Sequence, residues 1–480
     1  MKGTSKMIFS FLFVSRMKQT YTLRPLRKHL RPLEVYPNNI HLFTKSHKCN
    51  EVKLAGGGRV RYAPASYATL HLRLFEYVIT IQFLCGKKDV TAKGTKCYAK
   101  NAKYRFHGIF GIDHNKLMIF RGASMMSLFD SDLHELGQRA DAERRRRHGN
   151  KAYYVVNAHI NPTNVCRIGC PLCAFAATRG DKRAYVLTID EMLQRAERAV
   201  GFGATQLHLV SSVHPDKPYA WYREITATLH QTFPQLWLKA WSAVEIAAFA
   251  HSMGKSYEFI LSDLQSVGLS SLPGGGAEIF DAEVRKKIAP DKIPAEVWLE
   301  VHRTAHKRGI PTNAAMLFGH LETPKHRLEH LLKLRELQEA TGGFDCFVPL
   351  VFHPKNTQID VPSLSPQEIL KTIAVCRLVL DNIEHIKAYW VTLGESLAQI
   401  ALSYGADDFD GTVFEERIHH EAGSSTPSGL SEARLRELIL GAGRKPQPIT
   451  APCALVPWDS VPWDSPNLGC EQKPEWSAAQ

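Results

Sequence analysis

The feature that most constrains the fold is a repeated alternation between short apolar segments and longer helical segments. Apolar runs predict strands at 153–160, 206–210, 236–240, 313–318, 344–351 and 385–391. Segments with helical periodicity follow them at 188–201, 218–232, 294–308, 325–340, 365–382 and 394–403. Strands this apolar, each followed by a helix, are typical of a parallel sheet whose faces are covered by helices.

The number of units narrows the architecture. At least six strand–helix units in about 280 residues predict an α/β fold, a complete or near-complete (β/α) barrel of the TIM type. A doubly wound open sheet is the alternative, but no glycine-rich dinucleotide-binding sequence follows the first predicted strand. An amphipathic helix precedes that strand; we expect Asp130 or Ser131 to cap it and the basic run Arg144–Arg147 to end it before Gly149.

Charge is distributed unevenly along the 480 residues. Residues 1–110 contain 21 Lys and Arg against 4 Asp and Glu, whereas the rest of the chain contains 39 basic and 43 acidic residues. A duplex-binding protein needs its positive charge on the folded domain, and the predicted barrel is slightly acidic. We therefore expect no nucleic-acid partner. No stretch approaches the roughly 20 apolar residues that a membrane span requires, so we expect no membrane partner.

The two ends of the chain lack the pattern of the middle. Residues 1–124 alternate basic clusters with short apolar runs, and we expect a flexible or disordered extension, or a reading frame that begins too early, with Met125 or Met126 as the start. A basic organellar targeting segment is the alternative. The barrel domain is predicted at 125–447. Residues 448–480 are rich in Pro and Trp and repeat one pentapeptide at 456–460 and 461–465, which predicts a disordered tail.

Three of the ten cysteines form a compact group. Cys166, Cys170 and Cys173 directly follow the first predicted strand, at the end of a barrel strand where active sites are built. Thiolates are the ligands that iron–sulfur clusters select. Three thiolates leave one iron of a four-iron cubane without a protein ligand, and so open to a substrate. The other seven cysteines are scattered, which indicates a reducing compartment and a cytoplasmic location.

Two other interpretations of the cysteines remain open on spacing alone. A structural zinc site needs four ligands, and this chain has no second Cys-x-x-Cys pair, although His159 could act as the fourth ligand. A redox dithiol would use Cys170 and Cys173 but would leave Cys166 without a role. The cluster accounts for all three cysteines and is the favoured interpretation.

The spacing Cys-x3-Cys-x2-Cys after a first strand resembles the signature of the radical S-adenosylmethionine superfamily. The resemblance implies a 4Fe-4S cluster on these three cysteines and S-adenosylmethionine bound to its fourth iron as a co-substrate. It also implies a reducing electron donor such as flavodoxin or ferredoxin. One departure is Leu172, which stands where the family usually has an aromatic residue; its backbone carbonyl is still expected to meet the adenine.

Further motifs resemble one branch of that superfamily. Segments 161–166, 272–280, 312–323 and 341–357 resemble the futalosine branch of menaquinone biosynthesis and its deazaflavin-forming relatives. Segments 239–246, 352–354, 385–390, 411–413 and 419–423 resemble the aminofutalosine synthase family in particular. That family adds the 5′-deoxyadenosyl radical to 3-[(1-carboxyvinyl)oxy]benzoate and forms 6-amino-6-deoxyfutalosine. The alternatives are the dehypoxanthine futalosine cyclase, a deazaflavin-precursor synthase and, from another class, a zinc- or cluster-bearing module that binds nucleic acid.

The resemblance and the predicted strand ends together nominate the remaining site residues. Two substrate carboxylates and an anionic radical call for cationic or donor groups, for which the catalytic candidates are Arg285, Asn313, His320 and His353. Glu278, which follows the glycine run at 274–276, is the fifth catalytic candidate. The cofactor-binding candidates are Leu172, Ser211, Ser212 and Glu245. Ser211 and Ser212 replace the usual glycine pair near the methionine amino group. The acidic run at 407–410 lacks the spacing of an EF-hand and is interpreted as a helix cap or a loop at the barrel mouth.

Overall fold

The structure, a computed structural model, describes residues 125–450 continuously and only short strands outside that range. The chain divides into two units, Met1–Ala123 and Ser124–Gln480. The described strands of the first unit pair antiparallel in small sheets and are Met7–Ser10, Glu34–Tyr36, Asn39–His41, Glu51–Lys53, Arg59–Arg61, Thr69–Leu74 and Tyr77–Phe83. The predicted flexibility of the extension concerns residues that lie mostly outside the described ones, and it stays a prediction.

Within residues 125–450, eight parallel strands close into a barrel, which confirms the predicted fold. The first barrel strand is β1 (Lys151–Val155) with its continuation β2 (Asn157–Ile160). The others are β3 (Gln206–Leu209), β4 (Trp237–Ala240), β5 (Leu269–Ser271), β6 (Thr312–Phe318), β7 (Phe344–Val351), β8 (His385–Ile386) and β9 (Asp408–Gly411). Strands β2 to β5 pair in order, as do β6 to β8, and β9 pairs with β1. The parallel bridges Leu272–Thr312, Lys387–Asp408 and Ala158–Phe414 close the ring.

Helices connect the strands and pack against the barrel. They are α1 (Leu133–His148), α2 (Ile189–Gly201), α3 (Tyr219–Thr232), α4 (Ala243–Met253), α5 (Tyr257–Ser266), α6 (Ala282–Ile288), α7 (Ala295–Lys307), α8 (Pro324–Thr341), α9 (Pro366–Val379), α10 (Trp390–Leu393), α11 (Glu395–Ala401), α12 (Ile418–Glu421) and α13 (Glu432–Gly441). Helix α1 is capped by Asp132 and not by Asp130 or Ser131, because Asp132 accepts hydrogen bonds from the backbone of His134 and Glu135. It ends before Gly149, as predicted.

Two predictions for the last part of the barrel need correction. The acidic run at 407–410 is not a cap or a loop: Asp408 lies in β9, where its carboxylate accepts a hydrogen bond of 2.8 Å from Lys387 Nζ. The adjacent Asp407 is paired with Arg377 in the barrel wall. Strand β8 ends at Ile386, and Trp390 begins the short helix α10. Buried carboxylates require such partners, and both partners lie far away in sequence.

A cluster of three histidines, of which His302 and His330 are buried and His306 is half-buried, lies between helices α7 and α8 and strand β6. The hydroxyl Oγ1 of Thr312 lies 2.9 Å from His302 Nδ1 and 2.8 Å from His306 Nε2. His330 donates from Nε2 to the carbonyl of Ala315, also at 2.9 Å. Burial lowers the pKa of His306 to about 4 and that of His330 to about 3, and it holds the pKa of His302 well below its usual value. All three side chains are therefore neutral near pH 7.

The last part of the second unit adds to the sheet. Strand β10 (Lys445–Thr450) pairs in parallel with β1 and extends beyond residue 447, where the sequence placed the domain boundary. A two-residue strand, Ala454–Leu455, pairs antiparallel with it. The repeated pentapeptide at 456–465 lies outside the described residues. Among the described residues, no helix combines the length and apolarity needed to cross a membrane.

A chain shortened to begin at Met125 is expected to fold and to keep its activity. The physical reason is that the barrel closes using residues 151–414, and the buried apolar side chains that the structure describes lie between residues 125 and 449. The measurements are the circular dichroism melting temperature and turnover, beside the full-length chain. A shortened chain that is insoluble or inactive would show that residues 1–124 contribute to the catalytic unit.

Candidate active site

A cavity lies inside the barrel, at the carboxyl ends of its strands. Side chains from β2, β3, β4, β6 and β7 form its wall, and the loops that follow these strands form its rim. In a parallel barrel this end collects the loops that carry functional groups. All three residues of the cysteine group line this cavity.

The cysteine-bearing loop is held in place by polar side chains just after β2. Asn161 Nδ2 donates to the carbonyl of Val210 at 2.8 Å, which ties the loop to the segment after β3. Thr163 Oγ1 donates to the carbonyl of Tyr185 at 2.7 Å, and Asn164 Oδ1 accepts from the amide of Tyr185 at 2.9 Å. The loop therefore folds back on itself with its two ends fastened, and the cysteines between them have a defined position.

The geometry of the three thiols fits a polynuclear cluster rather than a single zinc ion. In a tetrahedral zinc site the ligand sulfurs lie about 3.8 Å apart, because each Zn–S bond is about 2.3 Å. Among residues 125–450, the group of three ligand atoms that all lie within 4.8 Å of one another is His148, His385 and Asp407, not the cysteines. All three cysteines are free thiols. Three thiols on one loop are a donor set that suits an iron–sulfur cubane with one iron left open.

His159 does not join the cysteines as a fourth ligand. It lies on β2 inside the barrel, where its ring packs edge-on against His208 with a centroid distance of 4.5 Å. Burial lowers the pKa of His159 to about 4, so the imidazole is neutral. The redox-dithiol alternative is also disfavoured, because Cys166 lines the same cavity as Cys170 and Cys173.

The four candidates for cofactor binding come together beside the cysteines. Glu245 is the third residue of α4, and its Oε1 accepts a hydrogen bond of 2.9 Å from the amide of Ser211. Its Oε2 accepts from the amide of Ser242 at 2.7 Å. Burial raises the pKa of Glu245 to about 7 despite these donors. Ser212 and Leu172 also line the cavity, and the amide of Leu172 donates to Ile288.

Glu278 reaches the cavity from a strained backbone position after the glycine run. Its φ of 48° lies in the left-handed region, and its carboxylate pairs with Lys292. Burial acts to raise the pKa of Glu278, but the Lys292 ammonium outweighs burial and the pKa is lowered. The backbone passes very close to β6 here, since a Cβ on Gly274 would meet the carbonyl carbon of Ala314 at 2.7 Å. Only glycine fits at that point.

Two of the predicted catalytic residues do not line the cavity. Arg285 is buried in α6 and donates to the carbonyls of the segment it supports, Gly276, Ala277, Ile279 and Ile293. His320 lies 3.0 Å from Glu322, with both side chains fully buried. Arg285 therefore holds the loop that carries Glu278, and His320 accepts a hydrogen bond from the amide of Leu321 beside the buried ion pair of Glu322 and Arg327. Neither residue is among those that line the cavity, and a catalytic role for each stays a prediction.

The other two catalytic candidates do line the cavity. Asn313 lies on β6, where its Nδ2 donates to Cys346 Sγ, and His353 follows β7 with its Nε2 donating to the carbonyl of Thr392 at 3.0 Å. Several polar cavity residues were not nominated from the sequence: His208, Lys239, Lys292, Lys387, Tyr389, Asp410, Glu416 and His419. Of these residues, Lys239 could have been nominated from the sequence. It is a charged residue between the apolar Leu238 and Ala240 of a predicted buried strand, and a charge at such a position indicates a functional or paired group.

Comparisons with known proteins agree with this site. Residues 160–334 match the model of the Radical SAM superfamily, and residues 341–454 match the CofH/MqnC C-terminal region. The aminodeoxyfutalosine synthase of Thermus thermophilus is 45% identical over 321 residues, which are 66% of this chain and 86% of that protein. The chain belongs to the radical S-adenosylmethionine superfamily. As a radical S-adenosylmethionine enzyme it uses a 4Fe-4S cluster together with S-adenosylmethionine, and Cys166, Cys170 and Cys173 are the residues that would hold the cluster.

Other relatives of this radical S-adenosylmethionine enzyme differ in the reaction they are named for. The aminodeoxyfutalosine synthase of Streptomyces coelicolor is 41% identical, over 67% of this chain and 86% of that protein. The cyclic dehypoxanthine futalosine synthase of the same organism is 37% identical, over 66% of this chain and 80% of that protein. Methylornithine synthase has the same fold, with a TM-score of 0.54 at 17% identity over 68% of this chain and 93% of its own.

Proposed function

We propose that this enzyme is an aminodeoxyfutalosine synthase of menaquinone biosynthesis. In this reaction the 5′-deoxyadenosyl radical adds to the vinyl carbon of 3-[(1-carboxyvinyl)oxy]benzoate. Migration of the aryl group and loss of the carboxylate then give 6-amino-6-deoxyfutalosine. The adenosyl group stays in the product, so S-adenosylmethionine is consumed as a co-substrate.

The observation that carries this proposal is the order of the identities. The two relatives named aminodeoxyfutalosine synthase are 45% and 41% identical to this chain. The relative named cyclic dehypoxanthine futalosine synthase is 37% identical, and the one from Archaeoglobus fulgidus named for 4-hydroxyphenyl transfer is 38% identical. The segments around Lys239, His353 and His385, which resemble the synthase family, support the same choice.

The residues around the cysteines suit the co-substrate. When bound, the cluster supplies the electron that cleaves S-adenosylmethionine into methionine and the 5′-deoxyadenosyl radical. We assign the methionine end to the segment of Ser211 and Ser212, which the carboxylate of Glu245 holds through the Ser211 amide. The side chain Oγ of Ser211 is buried without a hydrogen-bond partner among the described residues, so it is available to a ligand. The backbone of Leu172 is assigned to the adenine.

The remaining wall of the cavity is assigned to the aromatic substrate. Apolar side chains of β6 and β7, including Leu317, Val348 and Leu350, line it. Asn313 and His353 add polar groups at its edge. An apolar wall with a few convergent polar groups is the usual form of a site for a small aromatic ligand. Glu278 also faces the cavity, and its ion pair with Lys292 would hold its carboxylate in position beside the substrate.

The reaction type is tested by counting the nucleosides formed. Under anaerobic, reducing conditions with S-adenosylmethionine and 3-[(1-carboxyvinyl)oxy]benzoate, we expect one adenine-bearing adduct for each methionine and little free 5′-deoxyadenosine. The physical reason is that radical addition retains the adenosyl group, whereas hydrogen abstraction releases it. Liquid chromatography of one reaction measures all three products.

The control for that experiment is the same reaction without the aromatic substrate, which measures uncoupled cleavage of S-adenosylmethionine. One 5′-deoxyadenosine for each methionine, with no adduct, would contradict the synthase assignment and favour the cyclase. The superfamily assignment would stand in either case. The flavodoxin or ferredoxin donor and the cytoplasmic location stay predictions.

A further inference from the structure

One layer of the barrel interior is formed by three polar residues on neighbouring strands. His208 on β3 is the register partner of His159 on β2 and of Lys239 on β4. Residues directly paired across parallel strands point to the same side of the sheet. All three side chains line the cavity, so the layer forms part of the wall of the active site.

Lys239 differs from the other lysines of this cavity. Lys387 is held by Asp408 at 2.8 Å and by Asp410 at 3.0 Å, and Lys292 is held by Glu278. Within residues 125–450, Lys239 Nζ has neither an ion pair nor a hydrogen bond. A positive charge in a protein interior is costly unless an anion or acceptors accompany it. Lys239 is thus the lysine of the cavity that makes no direct contact with a carboxylate among the described residues, and it acts on Asp345 and Asp410 only from a longer distance.

The two histidines of the layer add no charge to that of Lys239. Burial lowers the pKa of His159 to about 4 and that of His208 well below its usual value, so neither ring is charged near pH 7. His208 Nε2 is also buried without a hydrogen-bond partner among the described residues. An acceptor placed in the cavity beside Lys239 would satisfy a polar atom that the protein leaves unpaired.

The position of the layer selects one part of the substrate. Lys239 lies within β4, whereas the cysteines lie in the loop beyond the end of β2. The proposed substrate has two carboxylates: one on the vinyl carbon next to the bond-forming carbon, the other on the benzene ring. The reacting end must face the cysteine loop. The ring carboxylate, at the far end of the molecule, is the one that reaches into the barrel.

We propose that Lys239, together with His208, forms a subsite that binds the ring carboxylate of a benzoate-type substrate. The subsite rests on the proposed function for the identity of the substrate, and it deepens that function by naming the residue that selects a carboxylated ring. A Lys–carboxylate contact inside a barrel is a charge-assisted hydrogen bond, which is stronger than a neutral one. Lys239 is a binding residue in this account and takes no part in the radical step.

A structural role for Lys239 is the competing account. Lys387 neutralises one of its two carboxylate partners, and Lys239 also acts to lower the pKa of Asp410, after Lys387. If Lys239 only balanced the negative charge of the second carboxylate, its replacement would raise KM for every substrate to the same extent. The two accounts therefore differ in whether the effect depends on the ring carboxylate.

The test uses the cluster-loaded enzyme with two substrates, 3-[(1-carboxyvinyl)oxy]benzoate and 2-phenoxyacrylate, which lacks the ring carboxylate. Lys239→Met is expected to raise KM for the carboxylated substrate by about 10- to 100-fold, as for loss of a hydrogen bond to a charged group. It should leave kcat nearly unchanged and KM for 2-phenoxyacrylate unchanged. Lys239→Arg should recover part of the loss. Lys307→Met, an exposed lysine at the end of α7, is the matched control and should behave as wild type.

Three outcomes decide the proposal. An equal rise in KM for both substrates in Lys239→Met would overturn it in favour of the structural account, and no change for either would overturn it outright. If Lys239→Met fails to fold or to hold iron, the test is made on the wild-type enzyme with both substrates. The proposal then requires that the wild-type KM for 2-phenoxyacrylate be about 10- to 100-fold above its KM for the carboxylated substrate.

A binding measurement separates this subsite from the proposed function. Benzoate and phenol are titrated calorimetrically into cluster-loaded enzyme with S-adenosylmethionine present. Benzoate is expected to bind wild type at least about 10-fold more tightly than Lys239→Met, with no difference for phenol. That result, together with no turnover of the enolpyruvyl substrate, would reject the synthase function and keep the subsite. Equal benzoate affinity in both proteins would reject the subsite, whatever the reaction.

Discussion

Replacing Cys166, Cys170 or Cys173 with Ala is expected to abolish formation of both methionine and the nucleoside product. Each replacement should also remove most of the bound iron. Three thiolates share one cluster, and among residues 125–450 no other cysteine lines the cavity. The loop that carries them is fastened where Thr163 donates to the carbonyl of Tyr185. Iron and sulfide content and the visible absorption spectrum of anaerobically purified protein measure the loss.

Cys376→Ala is the matched control for these three variants. Cys376 is a free thiol that is fully buried in α9, away from the cavity, so its removal changes the packing of a helix and no ligand. This variant should keep wild-type iron content and turnover. A Cys166→Ala protein with full iron content would contradict the cluster assignment and return the zinc and dithiol interpretations to consideration.

The predicted strands were correct where a short run of apolar residues is enough to show that the segment is buried. Strands β6 and β7 are long and apolar, so a window of a few residues is enough to recognise them. Strand β9 was missed because Asp408 and Asp410 give it the composition of a loop. Its carboxylates become acceptable in a barrel wall only because Lys387, more than twenty residues earlier, donates to both. Local pattern carries no information about such a partner.

The same distinction explains the results at the site. The cysteines, the segment of Ser211 and Glu245 all follow strand ends, and position relative to a strand was enough to bring them together. Arg285 was nominated by the same rule but lies in α6 and turns its guanidinium toward backbone carbonyls. Lys292 was not nominated, because it reaches Glu278 from a loop that only the folded chain brings near. Side-chain direction in loops and short helices follows from tertiary contacts.

The stability of this enzyme is expected to fall steeply below about pH 6.5. Five histidines have pKa values lowered by burial: His159, His302 and His330, which are buried, and His208 and His306, which are half-buried. In the unfolded chain each would titrate near 6.5, so on acidification the unfolded state binds protons that the folded state does not. Their contribution is therefore fully present above about pH 6.5 and is lost as the pH falls.

The size of the effect follows from the number of protons. Each histidine that stays neutral in the folded state lowers the free energy of unfolding by up to about 1.4 kcal/mol per pH unit below the pKa of the unfolded chain. We therefore expect the free energy of unfolding of the cluster-loaded protein to fall between pH 6.5 and pH 5, as measured by urea titrations followed by circular dichroism at several pH values.

Replacing one histidine measures its separate contribution to the pH dependence of stability. His302 is fully buried, and its hydrogen-bond partner Thr312 keeps a second partner in His306, so His302→Leu leaves no orphaned group there. The quantity to compare is the free energy of unfolding of the variant minus that of wild type, measured at each pH. This difference should be about 2 kcal/mol more favourable to the variant at pH 5 than at pH 7.5. His251→Gln, which changes an exposed residue at the end of α4, should follow wild type at both pH values. Loss of the cluster in acid affects all three proteins alike and cancels in these differences. If the curves of His302→Leu and wild type stay parallel from pH 7.5 to pH 5, His302 takes up its proton in the folded state, and burial does not hold it neutral.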